Sequence, residues 1–282
     1  MDNKKKNKGN ILLFYLIAFG WTWLFWVPLI FVENGISLPQ GIINFLNSPY
    51  NPAAWGPLIS ALFVTYLYQR GPGLRSLIRR GVDFRFGFIW YIAAIFLFPA
   101  ILGFAYFAAM LSGESMPELV AFADPISIPI SFVFIFFTGG PLQEEFGWRG
   151  YAQTRLQKRW NALLASIFVG FMWAAWHLPL HFFPRDEAYY NTPIWGIFVS
   201  LILVSIIITW IFNNTGGSIL AAMLAHTSYN WGNYLFPTLF SETGALIYII
   251  LLIFIAALIV IVFGARRMVR GEEVPTQTLS ED

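Results

Sequence analysis

The sequence predicts an all-α polytopic membrane protein with about eight transmembrane helices, and three observations carry that prediction. Of the 282 residues, 57% are hydrophobic and only 11% charged, whereas an ordinary soluble domain carries about 25% charged residues. The apolar residues gather into runs close to the roughly 20 residues that a helix needs to span a bilayer. Once eight spans are drawn with the N-terminus in the cytoplasm, sixteen of the 17 Lys and Arg fall on the cytoplasmic side, counting Arg149 and Arg155 toward the cytoplasmic end of the fourth span, and only Arg185 lies outside, as the positive-inside rule requires. A miscounted span in the middle of the chain would scramble that asymmetry.

Composition also excludes several classes. A net charge of +2, with its basic residues in short clusters, does not suit a nucleic-acid partner. The chain has no cysteine, which rules out disulfides, thiolate zinc sites and a cysteine nucleophile.

Residues 1–10 form a basic, cytoplasmic N-terminus with four lysines. The apolar run over 11–32 has spanning length and lacks a small-residue cleavage site, so it reads as a retained first span rather than a signal peptide. The following Gly, Pro, Asn and Ser up to Tyr50 read as a loop. A second span is expected over 52–68, and 71–86 interleaves Arg75, Arg79, Arg80 and Arg85 with apolar residues, a pattern suited to lying on a membrane surface. The third span covers 87–111. The fourth runs over 126–157, broken or kinked at Gly139-Gly140-Pro141, because proline removes a backbone donor and bends the axis. The fifth to eighth spans are expected over 161–183, 194–212, 217–234 and 245–263, and 265–282 forms a polar cytoplasmic tail, disordered after Arg270. Both termini then lie in the cytoplasm. No internal repeat of the kind found in inverted-repeat transporters is visible.

The fourth span holds the costliest residues, Glu144, Glu145 and Arg149. Glu145 and Arg149 stand four apart with the acid first, the favourable order for an ion pair on one helix face. Glu144 lies about 100° round the helix without a local cation. A lone carboxylate in a low-dielectric site is the usual setting of a general acid or base, while a structural salt bridge is the bland alternative. All three histidines fall in the later spans, with His177 and His181 in the fifth and His226 in the seventh. Intramembrane ionisable groups are functional candidates by default. About 15 residues separate Glu144 from the turn between the fourth and fifth spans, and about 17 separate His177 from it. At about 1.5 Å per residue both lie roughly 22 to 26 Å along their helices, so the two side chains are expected to meet. His226 and Asn230 are four apart on one face, as a pair of donors for an oxyanion, a metal site or an interhelical hydrogen bond would be. His181 lies near the outer interface beyond Pro179.

The series Glu144-Glu145-x-x-x-Arg149, Trp173-x-x-x-His177 and His226-x-x-x-Asn230, with the flanking Phe146-Gly147-Trp148-Arg149-Gly150 and Trp176-His177-Leu178-Pro179, resembles the CPBP family of intramembrane CAAX-type and bacteriocin-processing proteases, also called Abi. The motif core covers 139–232, inside an eight-helix domain over 11–264. Trp173 stands where that family usually has Phe, a difference expected to affect packing. The resemblance implies an active site in the core of the fourth, fifth and seventh spans. There Glu144 would activate a water, His177 assist, His226 and Asn230 hold the oxyanion, and Glu145, Arg149 and Trp173 support them. It leaves open a divalent metal such as zinc, with Glu144, His177 and His226 as candidate ligands, since the chain has no His-Glu-x-x-His helix. The implied substrate is a membrane-associated protein or peptide, the setting the lipid bilayer of the cell membrane. A non-catalytic immunity or scaffold protein and a proton-coupled transporter are the competing readings.

Overall fold

The computed structural model describes residues 10–48, 50–184 and 186–270. The lysines of the N-terminal segment, Arg185 and the tail over 271–282 therefore lie outside the described residues, together with the expectations made for them.

Among the described residues the fold is entirely helical. Helix α1 covers Ile11–Glu33, α2 Gly56–Gly81, α3 Phe88–Leu111 and α4 Ser127–Thr138. The short α5, Pro141–Glu145, leads without interruption into a π-helix over Phe146–Gln153. Then follow α6 Ala162–Trp176, α7 Ile194–Asn214, α8 Ile219–Leu235 and α9 Glu242–Phe263. Four of these start on residues whose side chains accept a bond from a first-turn N–H: Asn10, Asn161, Ser218 and Ser241.

Five segments are long and apolar enough to cross a membrane: Ile11–Glu33, Phe88–Leu111, Ala162–Phe182, Ile194–Asn214 and Glu242–Phe263. The protein is thus an integral, polytopic, all-α membrane protein. The other three expected spans are the ones that carry charges or breaks. The second span and the basic segment behind it, expected as separate elements, form one helix broken at Arg70, whose φ of 56° is strained for a residue with a Cβ. The fourth is divided at Gly139 and Gly140 into α4 and α5. The seventh, α8, has only 17 residues. The loop expected before Tyr50 contains a further short helix, Gln40–Leu46, and the fifth span ends in a 3₁₀ turn, Leu178–Phe182, as Pro179 removes a backbone donor.

Association between apolar helices in a bilayer relies on close packing and interhelical hydrogen bonds, and both are present. Ser60 Oγ donates to Phe14 O at 2.7 Å, Ser205 Oγ to Ser166 O at 2.8 Å, and Ser228 Oγ to Ile95 O at 2.8 Å, tying α2 to α1, α7 to α6 and α8 to α3. At the centre, Trp148 and Tyr151 of the π-helix are fully buried against Phe14 of α1, with ring centroids 5.9 and 4.9 Å away. The polar helices α5, π and α8 are therefore enclosed by the apolar ones, which permits their charges.

Candidate active site

The site is built on the break before α5. Gly140 has φ 108°, a conformation that suits glycine, and it turns the chain so that Pro141 opens a new helix. Gln143 reaches back to accept the Gly140 N–H at 2.8 Å. Glu144 and Glu145 are consequently fixed one turn into α5, both buried.

The two acids are held differently. Glu145 Oε1 accepts from Arg149 Nη1 at 2.9 Å, as the four-residue spacing predicts, and also from His226 Nδ1 at 2.8 Å. The Arg149 guanidinium sits 5.1 Å from the Trp173 ring centroid, a cation–π contact. Glu144 Oε2 accepts from two indoles, Trp148 Nε1 at 2.9 Å and Trp173 Nε1 at 2.6 Å. Glu144 has no ion pair among the described residues, in keeping with the expectation from spacing.

The π-helix that follows Glu145 requires its own backbone partners. Thr154 Oγ1 donates to Arg149 O at 2.9 Å, and Arg80 donates to Gly150 O, Thr154 Oγ1 and Gly217 O at 3.3, 3.0 and 2.9 Å. Burial lowers the Arg80 pKa to about 10, with Arg155 adding repulsion, which leaves it cationic at neutral pH. Gly147 and Gly150 admit close neighbours here: a Cβ would lie 2.6 Å from Pro57 at the first and 2.7 Å from Ile219 at the second. Such π segments are frequent at functional sites.

His177 caps α6, and its Nδ1–H donates to Trp173 O at 3.0 Å, leaving Nε2 as the acceptor. The ring stacks on Tyr189 at 5.0 Å and lies 6.1 Å from Trp26. No hydrogen bond joins His177 to Glu144 among the described residues; Trp173, one turn earlier, holds the carboxylate instead. His181 stands edge-on to Tyr189 at 5.6 Å. His226 packs edge-on to Trp173 at 4.8 Å. Asn230, on the same side of α8, spends one N–H of its amide on Gly139 O at 2.8 Å and so ties α8 to the break. Among the described residues no group of three His, Asp or Glu side chains is placed to hold a metal ion, so Glu144, His177 and His226 do not fit a three-ligand metal site in this arrangement.

A cavity of about 270 Å³ lies between α1, the short helix and the 3₁₀ turn, lined in part by Trp26, Leu46, Asn51, Pro179 and Asp186. It shares Trp26 with the environment of His177 but includes neither Glu144 nor His226. Burial raises the Asp186 carboxyl above the usual range, partly offset by the Tyr189 N–H.

Residues 126–232, which span α4 to α8, match the family model described as Type II CAAX prenyl endopeptidase Rce1-like. The chain is also 28% identical over 251 residues to CAAX prenyl protease 2 of Methanococcus maripaludis, a match that covers 85% of this chain and 91% of that protein. The chain is thus similar to CAAX prenyl endopeptidases over its central helices and along most of its length. Four of the expected site residues do meet here, though in pairings that sequence spacing does not specify: Glu145 with His226, and Glu144 with the indole of Trp173 beside that of Trp148. Trp148 was the residue overlooked. Its signal was available, since it stands four after Glu144 just as Arg149 stands four after Glu145, and indole N–H is a donor with no acceptor role. Trp173, expected to influence packing, bonds the carboxylate directly.

Proposed function

We propose that this protein is an intramembrane endopeptidase that hydrolyses a peptide bond of a membrane-associated protein or peptide, with Glu144 as the general base. The observation that supports this most is the Glu144 carboxylate itself, buried between helices yet bonded by two neutral donors and no cation. Such a group retains its basicity and lies where water is scarce.

In this reading a water gives its proton to Glu144 as its oxygen attacks the scissile carbonyl carbon. The carbonyl oxygen becomes an oxyanion, which His226 and Asn230 stabilise. When His226 is protonated, both ring nitrogens donate: Nδ1 to Glu145, and Nε2 to the oxyanion. The Glu145 carboxylate, shared with Arg149, balances that imidazolium. Asn230 retains a second amide N–H beside the one bonded to Gly139. His177, with Nδ1 fixed on Trp173 O, offers Nε2 to the attacking water or the leaving amine. Glu144 then returns its proton to the leaving nitrogen as the C–N bond breaks. No step is assigned to a metal.

The name of the relative from Methanococcus makes a prenylated C-terminal CAAX peptide the first substrate class to test, with processing of a bacteriocin-like peptide second. The proposed setting is the cell membrane, crossed by eight spans, with both termini cytoplasmic. The purified protein should release the C-terminal tripeptide from a farnesylated CAAX peptide, and Glu144→Gln should abolish release while folding normally. A Glu144→Gln protein as active as wild type would remove the proposal, and parallel assays with a chelator would show whether a metal contributes.

A further inference from the structure

We infer that the two oxygens of Glu144 have unequal roles: Trp148 and Trp173 occupy Oε2, so that Oε1 alone is the reacting atom, held against the bare Cα of Gly140. This rests on the reading of Glu144 as the base and names the residues that aim it.

A carboxylate oxygen offers about two lone-pair sites. At Oε2 both are taken, by indoles that arrive from two different segments, the π-helix and α6. The carboxyl group is thereby fixed in rotation as well as position, because a single donor would leave it free to pivot. Oε1 accepts no hydrogen bond among the described residues. It lies against Gly140, where a Cβ would clash with Oε1 and stand 3.8 Å from His226 Cε1. The absent side chain thus lets the basic oxygen sit against the backbone, on the side of the His226 ring edge. Glycine is required there twice over, since φ is also 108°.

Trp173 acts beyond its hydrogen bond. Its ring packs edge-on against His226 at 4.8 Å and lies under the Arg149 guanidinium at 5.1 Å. One indole therefore sets the base, the histidine and the counter-ion relative to one another, and it is a positioning residue. In the chemical step a proton of the water passes to Oε1, the freed electron pair forms the C–O bond, and the carbonyl π electrons move to its oxygen. The same proton leaves Oε1 for the departing nitrogen.

The test combines kinetics on a quenched-fluorescent farnesylated CAAX peptide with NMR of indole N–H groups in the full chain, labelled at its 12 Trp. Wild type should show two indole protons shifted downfield, and both should move in Glu144→Gln. Trp173→Phe and Trp148→Phe should each remove one of these signals and lower kcat about 10- to 100-fold with KM unchanged, the size expected when reacting groups are misplaced by about 1 Å. Gly140→Ala, whose Cβ would displace Oε1, should lower kcat as much. Indole protons indifferent to Glu144→Gln would overturn the clamp, and so would full kcat in Trp173→Phe. Full kcat in Gly140→Ala would overturn the assignment to Oε1. If a tryptophan variant does not fold, the comparison of wild type with Glu144→Gln decides by the NMR signals alone. Activity retained by Glu144→Gln would instead remove the reading of Glu144 as base, whatever the indoles do.

Discussion

Glu145 accepts two hydrogen bonds on one oxygen, from Arg149 and from His226, at a point where none of the three side chains is more than 3% exposed. Its position one residue from Glu144 makes the pair look redundant, yet their partners differ in kind: a guanidinium and an imidazole for one, two indoles for the other. Removing the carboxylate charge of Glu145 would leave a buried guanidinium without its ion-pair partner. Breaking a buried pair from one side costs about 3 to 5 kcal/mol, more than a surface bridge contributes. Glu145→Gln is therefore expected to lower the thermal midpoint in detergent well below that of wild type, and Glu145→Gln combined with Arg149→Met to recover part of the loss. A double variant no more stable than the single one would show that the ion pair is not what holds this region.

At the scale of elements, the helices meet through small residues and through polar groups at their ends. Gly170 of α6 faces α7 so closely that a Cβ would lie 2.6 Å from Ile202 Cα and 2.9 Å from Leu201 O. Backbone cannot move aside as a side-chain tip can, so Gly170→Val should push α6 from α7 and cost about 1 to 3 kcal/mol or more. Because α6 carries Trp173, the same change should reduce activity; a variant with unaltered midpoint and turnover would mean that the two helices tolerate separation. The start of α9 gives a pH-dependent case outside the membrane spans. Glu114 accepts from Ser241 Oγ at 2.6 Å and from Thr243 N at 3.2 Å, and these bonds, that of Ser241 first, hold its carboxyl below the ordinary range. A group whose pKa is lower folded than unfolded stabilises the fold above the unfolded value, about 4.3 for Glu, and that stability is lost as pH falls through the folded value. Wild type should thus exceed Glu114→Gln in thermal midpoint at neutral pH and converge with it in acid. A gap independent of pH would assign the effect to shape rather than charge.

For the whole molecule, composition and apolar run length made the helical membrane class legible, and most helix bounds followed within a few residues, because caps such as Asn161, Ser218 and Ser241 and breakers such as Pro179 act locally. The ion pair of Glu145 with Arg149 was legible for the same reason. What spacing along one helix could not give was which side chain on another helix would meet it. Height placed His177 beside Glu144, but the rotation of α6 presents Trp173, and His226 turns to Glu145. The π-helix was equally hidden, since its extra residue per turn depends on Arg80 and Thr154, the first of them far away in sequence. The span count belongs to this scale too, because length and apolarity mark five segments while charge asymmetry favours eight. The difference lies in α2, whose second half is basic, in α4 and α5, which the break at Gly139 and Gly140 leaves as short pieces, and in α8, which is short and polar. A chain without cysteine lets this be measured by single substitutions. With eight spans, Arg75→Cys and Arg159→Cys should react with a membrane-impermeant maleimide only from the cytoplasmic face, and Asn47→Cys and Ser112→Cys only from the opposite one. With the five apolar segments alone, α2 would no longer cross between Asn47 and Arg75, and those two positions would label from the same side.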